Sequence, residues 1–155
     1  MRRSHRNPWL RFALALLCGF LLAVVVVRVV TTVHLRQAQR VFAGAYWQAH
    51  HDQDVTALMT LFCWDGVPPE SVNYLRFGLH TELEYPLRSI RFAGPEEADV
   101  IAFIDNDNGR AFGPNLRPVC AVHLIHDNPE QLNSTYPLGW KDGRLLIVMA
   151  RPLEE

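Results

Sequence analysis

The 155 residues hold fifteen basic and sixteen acidic side chains, a net charge of −1, but the charge is split along the chain. Residues 1–34 carry five arginines and no acid, whereas residues 35–155 carry ten basic and sixteen acidic residues. An acidic domain offers phosphate no basic face, which argues against a nucleic-acid partner. The roughly 120 residues beyond the basic start suffice for one domain with one core. Lys141 is the only lysine among the basic residues, a bias that reads as the genome composition of a GC-rich bacterium rather than as chemistry.

Arg2, Arg3, Arg6 and Arg11 precede an apolar run from Phe12 to Val27 that continues past Arg28 to Val33. As a helix rising about 1.5 Å per residue, residues 12–33 cover roughly 33 Å, enough to cross a hydrocarbon core of about 30 Å. A cleaved signal peptide wants a shorter apolar run and a small-x-small site just after it, and Ala43-Gly44-Ala45 lies too far downstream. A lipoprotein signal wants a small residue before its cysteine, but Leu17 precedes Cys18. The run therefore predicts an uncleaved signal anchor. Arg28 sits toward its far end, where a long side chain snorkels to the interface, and Trp9 suits the near interface. The arginines at the start place a tail of residues 1–11 in the cytoplasm by the positive-inside rule and send residues 35–155 across. The expected location is a bacterial inner membrane with a periplasmic domain.

Beyond the anchor, Leu35, Ala38, Phe42, Ala45, Tyr46 and Ala49 keep a helical period up to His50, so one helix is expected to run on from the membrane. Asp54 reads as the N-cap of a short helix with Val55, Leu58, Met59 and Phe62 on one face. Pro69 suits the first turn of a third helix, with Val72, Leu75, Leu79 and Leu83 on one side and a stop before Pro86. The period then changes to that of strands. Ser89–Phe92 alternates, Val100–Ile104 is a short apolar run, and Asn106-Asp107-Asn108-Gly109 is a turn signal. Residues Pro118–Ile125 form another strand, with Val119, Ala121, His123 and Ile125 on one face. Tyr136, Leu138 and Trp140 alternate, Lys141-Asp142-Gly143 turns, and the unbroken apolar run 145–150 predicts a central strand buried on both faces. Helices first and an antiparallel meander after them give an α+β domain, with about three helices on a curved, mostly antiparallel sheet.

That order of elements resembles the nuclear-transport-factor-2-like superfamily, a cone-shaped α+β fold, over roughly residues 36–151. The resemblance rests on Ala45-Tyr46-Trp47-Gln48, on Ala57-Leu58-Met59-Thr60-Leu61-Phe62, and on the closing hairpin Gly139-Trp140-Lys141-Asp142-Gly143-Arg144-Leu145-Leu146-Ile147-Val148. It implies a cavity between sheet and helices, and homodimerisation through the open sheet face. Membrane-tethered members serve as assembly components of secretion machinery, and other members are isomerases, dehydratases or binding modules. Fold does not fix function, and no isomerase or dehydratase motif maps residue by residue onto this chain.

The densest polar cluster is His50-His51-Asp52 with Asp54. Adjacent histidines point apart, so it reads as a solvated helix end near the negative C-terminus rather than a metal site. His123 and His126 lie on opposite faces of their strand by their odd spacing. His123, paired with a carboxylate such as Asp65 or Asp105, would make an acid–base couple near neutral pH. Trp64 and Asp65 in the run Phe62–Pro68 offer a pocket wall or partner anchor, or else a core tryptophan followed by a turn. Tyr46, Trp47 and Trp140 carry the same two readings. Cys63 and Cys120 would bridge in an oxidising compartment or remain two inert core thiols. Asp105 and Asp107 lack the spacing of a calcium loop. There is no Gly-rich phosphate loop, serine nucleophile motif or paired-cysteine metal motif, so no cofactor is expected. The sequence thus predicts a non-catalytic binding or scaffold domain with a protein partner or a second copy. The alternative is a site for a small apolar ligand, or an isomerase- or dehydratase-like enzyme using the cavity of the cone.

Overall fold

A computed structural model describes residues 8–97, 103–104, 110–127 and 133–153. The predicted turn at residues 106–109, Asp105, Asp107 and most of the run 100–104 lie outside the described residues. The chain divides into two compact units, residues 1–37 and 38–155.

The first unit is the apolar part of α1 (Pro8–His51), a single 44-residue helix. Its side chains from Leu16 to Val33 are exposed, and it is long and apolar enough to cross a membrane. Two threonines sit within it, and neither hydroxyl is left unsatisfied. Thr31 Oγ1 donates to the Val27 and Arg28 carbonyls, both at 3.0 Å, and Thr32 Oγ1 to the Arg28 carbonyl at 2.8 Å. Helical threonines commonly close such bonds within their own helix, which suits them to an apolar surround.

The second unit is the α+β domain. The end of α1 contributes Phe42, Tyr46, Ala49 and His50 to its core, the stripe that the helical period marks. α2 (Val55–Met59) starts where Asp54 Oδ1 accepts the Ala57 N–H at 2.9 Å. α3 (Pro69–Leu83) has proline at its start and buries Leu79 and Leu83.

Among the described residues seven strands follow: β1 (Leu87–Ala93), β2 (Phe103–Ile104), β3 (Ala111–Pro114), β4 (Pro118–His126), β5 (Asn133–Lys141), β6 (Arg144–Ile147) and β7 (Ala150–Pro152). One sheet has the order β1-β4-β5-β6 and the other β2-β3-β7. Every strand pair in both is antiparallel, and together they make a curled half-barrel. The β5–β6 turn places Asp142 at φ 49° and Gly143 at φ 75°, the left-handed pair that a two-residue hairpin needs. In β1, Phe92 meets Phe42 edge to face with ring centroids 6.4 Å apart, so Ile90 and Phe92 face the helices. In β4 the core side is Cys120, Val122, Leu124 and His126, which puts His123 on the other side.

The apolar run 145–150 is not one central strand. β6 ends its sheet and the chain crosses to the other sheet at β7. Leu145, Leu146, Ile147 and Val148 are buried nonetheless, because the outer edge of β6 is covered by the segment after α2. There the Ile147 N–H donates to the Leu61 carbonyl at 2.8 Å and the Cys63 N–H to the Ile147 carbonyl at 2.9 Å. Cys63 and Cys120 are buried and unbridged; burial raises the Cys120 thiol, against a smaller opposing effect of Gln39.

Candidate functional site

Polar side chains from α1, β4 and β5 meet around one carboxylate. Glu82 lies in the last turn of α3 with only 11% of its side chain exposed. Ser134 and Tyr136, two apart on β5 and so on one face of it, both donate to Glu82 Oε2 at 3.1 Å. Tyr46 on α1 donates its hydroxyl to Glu82 Oε1. His126, at the end of β4, brings Nε2 to 3.5 Å from the same oxygen without hydrogen-bond geometry. His50, one turn beyond Tyr46 on the same helix, sets its ring 5.6 Å from that of His126. The Nε2 atoms of His50 and His126 are buried and make no hydrogen bond.

Burial alone would push the Glu82 carboxyl up, but the proximity of His126 and the hydroxyls of Tyr46 and Ser134 outweigh it, leaving Glu82 below its ordinary value. Burial, then the Glu82 charge, raises both Tyr46 and Tyr136. Burial, then His126, lowers His50, against the smaller pull of Glu82. Near neutral pH the cluster is therefore a carboxylate among neutral phenols with an uncharged His50.

The signs fix a pH profile. Below about 6.5 the unfolded chain protonates the position of His50 while the folded one resists, and Glu82 acts in the same sense below about 4.5, so acid removes stability. Above about 10 the unfolded chain releases phenol protons that folded Tyr46 and Tyr136 retain, so alkali removes it too. The thermal midpoint of the full chain in detergent is expected to hold a plateau between those limits. An optimum on the acid side of about pH 6 would contradict the cluster as described.

The residues singled out in the sequence are spread over the domain. Tyr46 is in the cluster. His123 is on the outer side of β4, with Nδ1 3.0 Å from Thr135 Oγ1 and Nε2 3.3 Å from Glu97 Oε2; neither Asp65 nor the cluster is its partner. Trp64 donates Nε1–H to the Met59 carbonyl at 2.8 Å and stacks on Phe62 at 5.5 Å, so it closes the end of α2. Asp65 precedes the turn glycine Gly66 (φ 70°) and pairs with Lys141 at the surface. Trp140 is half-buried opposite Leu145. His51 is the solvated member of the histidine pair, and His50 is not.

Glu82 carried no sequence signal, since an acid near a helix end is usually solvated. The position of His50 on the stripe Phe42–Tyr46–Ala49, and the i,i+2 pair Ser134 and Tyr136, were the available hints. Among the described residues no three His, Cys, Asp or Glu side chains gather as metal ligands. A surface cavity of about 430 Å³ adjoins the cluster, lined by Trp47, His50, Gln53, Leu83 and Glu84 among others.

Comparison with protein-family models, with characterised proteins and with solved structures finds no match to the chain.

Proposed function

We propose that the chain is a single-pass protein of a bacterial inner membrane whose periplasmic domain holds a protein partner and does no chemistry itself. The observation that carries this reading is the occupancy of Glu82. Its two oxygens accept from α1 and β5, so this carboxylate braces the end of α1 against the sheet. A general base must reach and take a proton from a substrate, whereas this carboxylate is buried and its partners hold it below its ordinary value. The order of helices and antiparallel strands also supports kinship with the nuclear-transport-factor-2-like superfamily, in which tethered members act as assembly parts. Tyr74 and Phe77 on α3, 81% and 73% exposed, are the aromatic side chains that a partner would cover.

In-cell photocrosslinking from positions 74 and 77 of the full-length protein, followed by purification from the membrane, tests the reading. A single stoichiometric envelope protein is expected. Recovery of uncrosslinked chain alone would sink it. A second reading, a small apolar ligand, has the groove of about 470 Å³ lined by Tyr74, Leu75, Phe112 and Met149 in its favour; a ligand released on denaturing the purified protein would select it.

A further inference from the structure

We propose that His50 is a proton-operated latch at the end of α1. Uptake of a proton by His50 drives its ring out of the cluster into the adjoining cavity and frees the last turn of α1 from the end of α3.

The argument is one of charge and space. The cluster holds one negative charge, on Glu82, and its oxygens already accept from Tyr46, Ser134 and Tyr136. The imidazole nearest that charge is His126, whose Nε2 is 3.5 Å from Oε1. A proton on His50 would place a cation in the buried interior, its ring centre 5.6 Å from that of His126, where burial disfavours the charged form. Leaving costs the His50 ring its hydrogen bonding to the backbone of Glu82 and Tyr85, while its Nε2 has no hydrogen bond to lose.

His50 is the member with an exit. It lines the cavity with Trp47, His51, Leu83 and Glu84, and Glu84 is exposed, so an expelled imidazolium meets a carboxylate there. The groups facing His50 are Tyr46 and His51 on α1, the Glu82 side chain and the Glu82 and Tyr85 backbone at the end of α3, His126 on β4, and Glu84 across the cavity. Glu82 and Glu84 are the acids among them, and Glu82 is already engaged by three hydroxyls. What the movement loosens is also defined. Gln53, at φ 57°, donates its Nε2–H to the Leu83 carbonyl at 3.0 Å and to the His50 carbonyl at 3.3 Å. This amide ties the end of α1 to the end of α3. The latch operates whatever the domain binds, so its failure would leave the partner reading intact.

The test is hydrogen–deuterium exchange of the full chain in lipid nanodiscs at about pH 7.5 and about pH 5, on either side of the ordinary histidine range and corrected for intrinsic rates. Residues 47–54 are expected to open about tenfold more often at the lower pH, while 118–126 keep their protection. His50→Gln should abolish the step. Glu84→Gln, an exposed change that leaves folding intact, should move it to lower pH by removing the receiving charge. Equal protection at both pH values, loss of protection across the whole sheet, or a step that survives His50→Gln would overturn the latch. Should His50→Gln fail to fold, an unmoved step in Glu84→Gln overturns it.

Discussion

Glu82→Ala is expected to lower the unfolding free energy of the full chain by about 3–5 kcal/mol, the range for breaking a buried charged network by removing one partner. The substitution removes the acceptor of three hydroxyls, from Tyr46, Ser134 and Tyr136. Each buried donor left without an acceptor costs about 1–3 kcal/mol. Some of that is recovered as the hydroxyls rotate and water enters the space left by the carboxylate, so the sum is an upper bound. Tyr136→Phe removes one donor and leaves the carboxylate with Ser134 and Tyr46, and should cost about 1.5–3 kcal/mol, as for a hydrogen bond to a charged group. The double variant is the sharper measurement. Once Glu82 is gone the Tyr136 hydroxyl is an orphan, so deleting it then should cost little or restore stability, a coupling of about 1–3 kcal/mol. Urea unfolding followed by tryptophan fluorescence reads all three. A loss below about 1 kcal/mol for Glu82→Ala, or additive effects in the double variant, would mean that the carboxylate does not brace these elements.

This brace was out of reach of local sequence reading, and the reason is physical. The elements themselves were legible because each follows from signals a few residues apart. Phe42, Tyr46 and Ala49 repeat at helical spacing, Asp54 stands where a cap belongs, Pro69 opens α3, and Asp142-Gly143 supplies the left-handed pair of the β5–β6 turn. The Glu82 cluster gathers side chains from positions 46 to 136, and which helix turn meets which strand depends on tertiary packing that no short window holds. The same cause misplaces the run 145–150. Its apolar continuity correctly announces burial on both faces, but the cover over its outer edge is the segment 61–63, an irregular stretch whose pairing to Ile147 has no periodic mark.

The two histidine pairs show the limit from the other side. Odd spacing separates His123 from His126, and the structure places them on opposite faces of β4. Spacing does not say which face is the core, and the member that enters the polar cluster is His126. At His50 and His51 two physical rules compete. Proximity to a helix C-terminus favours solvated imidazoles, whereas the apolar stripe of α1 passes through position 50. The stripe wins at His50, because a core already holding Phe42 and Tyr46 continues over the next turn, and the end effect wins at His51.

The second large effect concerns the other unit. Replacing Leu21 and Val25 together with arginine is expected to convert the chain from membrane-bound to soluble or aggregated. On insertion scales each Leu, Val or Phe near the middle of a span contributes about −0.3 to −0.6 kcal/mol, so those between Phe12 and Val33 together supply roughly −4 to −8 kcal/mol. Arg28 offsets part of this, less than the full midspan cost of about 2.5–3.5 kcal/mol because it lies toward one end, from where a long side chain can extend to an interface. Two arginines near the middle add about 5–7 kcal/mol, which cancels what remains. Leu21 and Val25 are exposed on α1, so the change leaves the packing of residues 38–155 untouched and the domain should keep its fold. Alkaline extraction of membranes, with near-ultraviolet circular dichroism on the recovered protein, separates the two effects. Retention of the double variant in the extracted membrane would mean that the apolar part of α1 is not what holds the chain there. Loss from the membrane with the domain signal preserved would show that anchor and domain make separate energetic contributions, although one helix serves both.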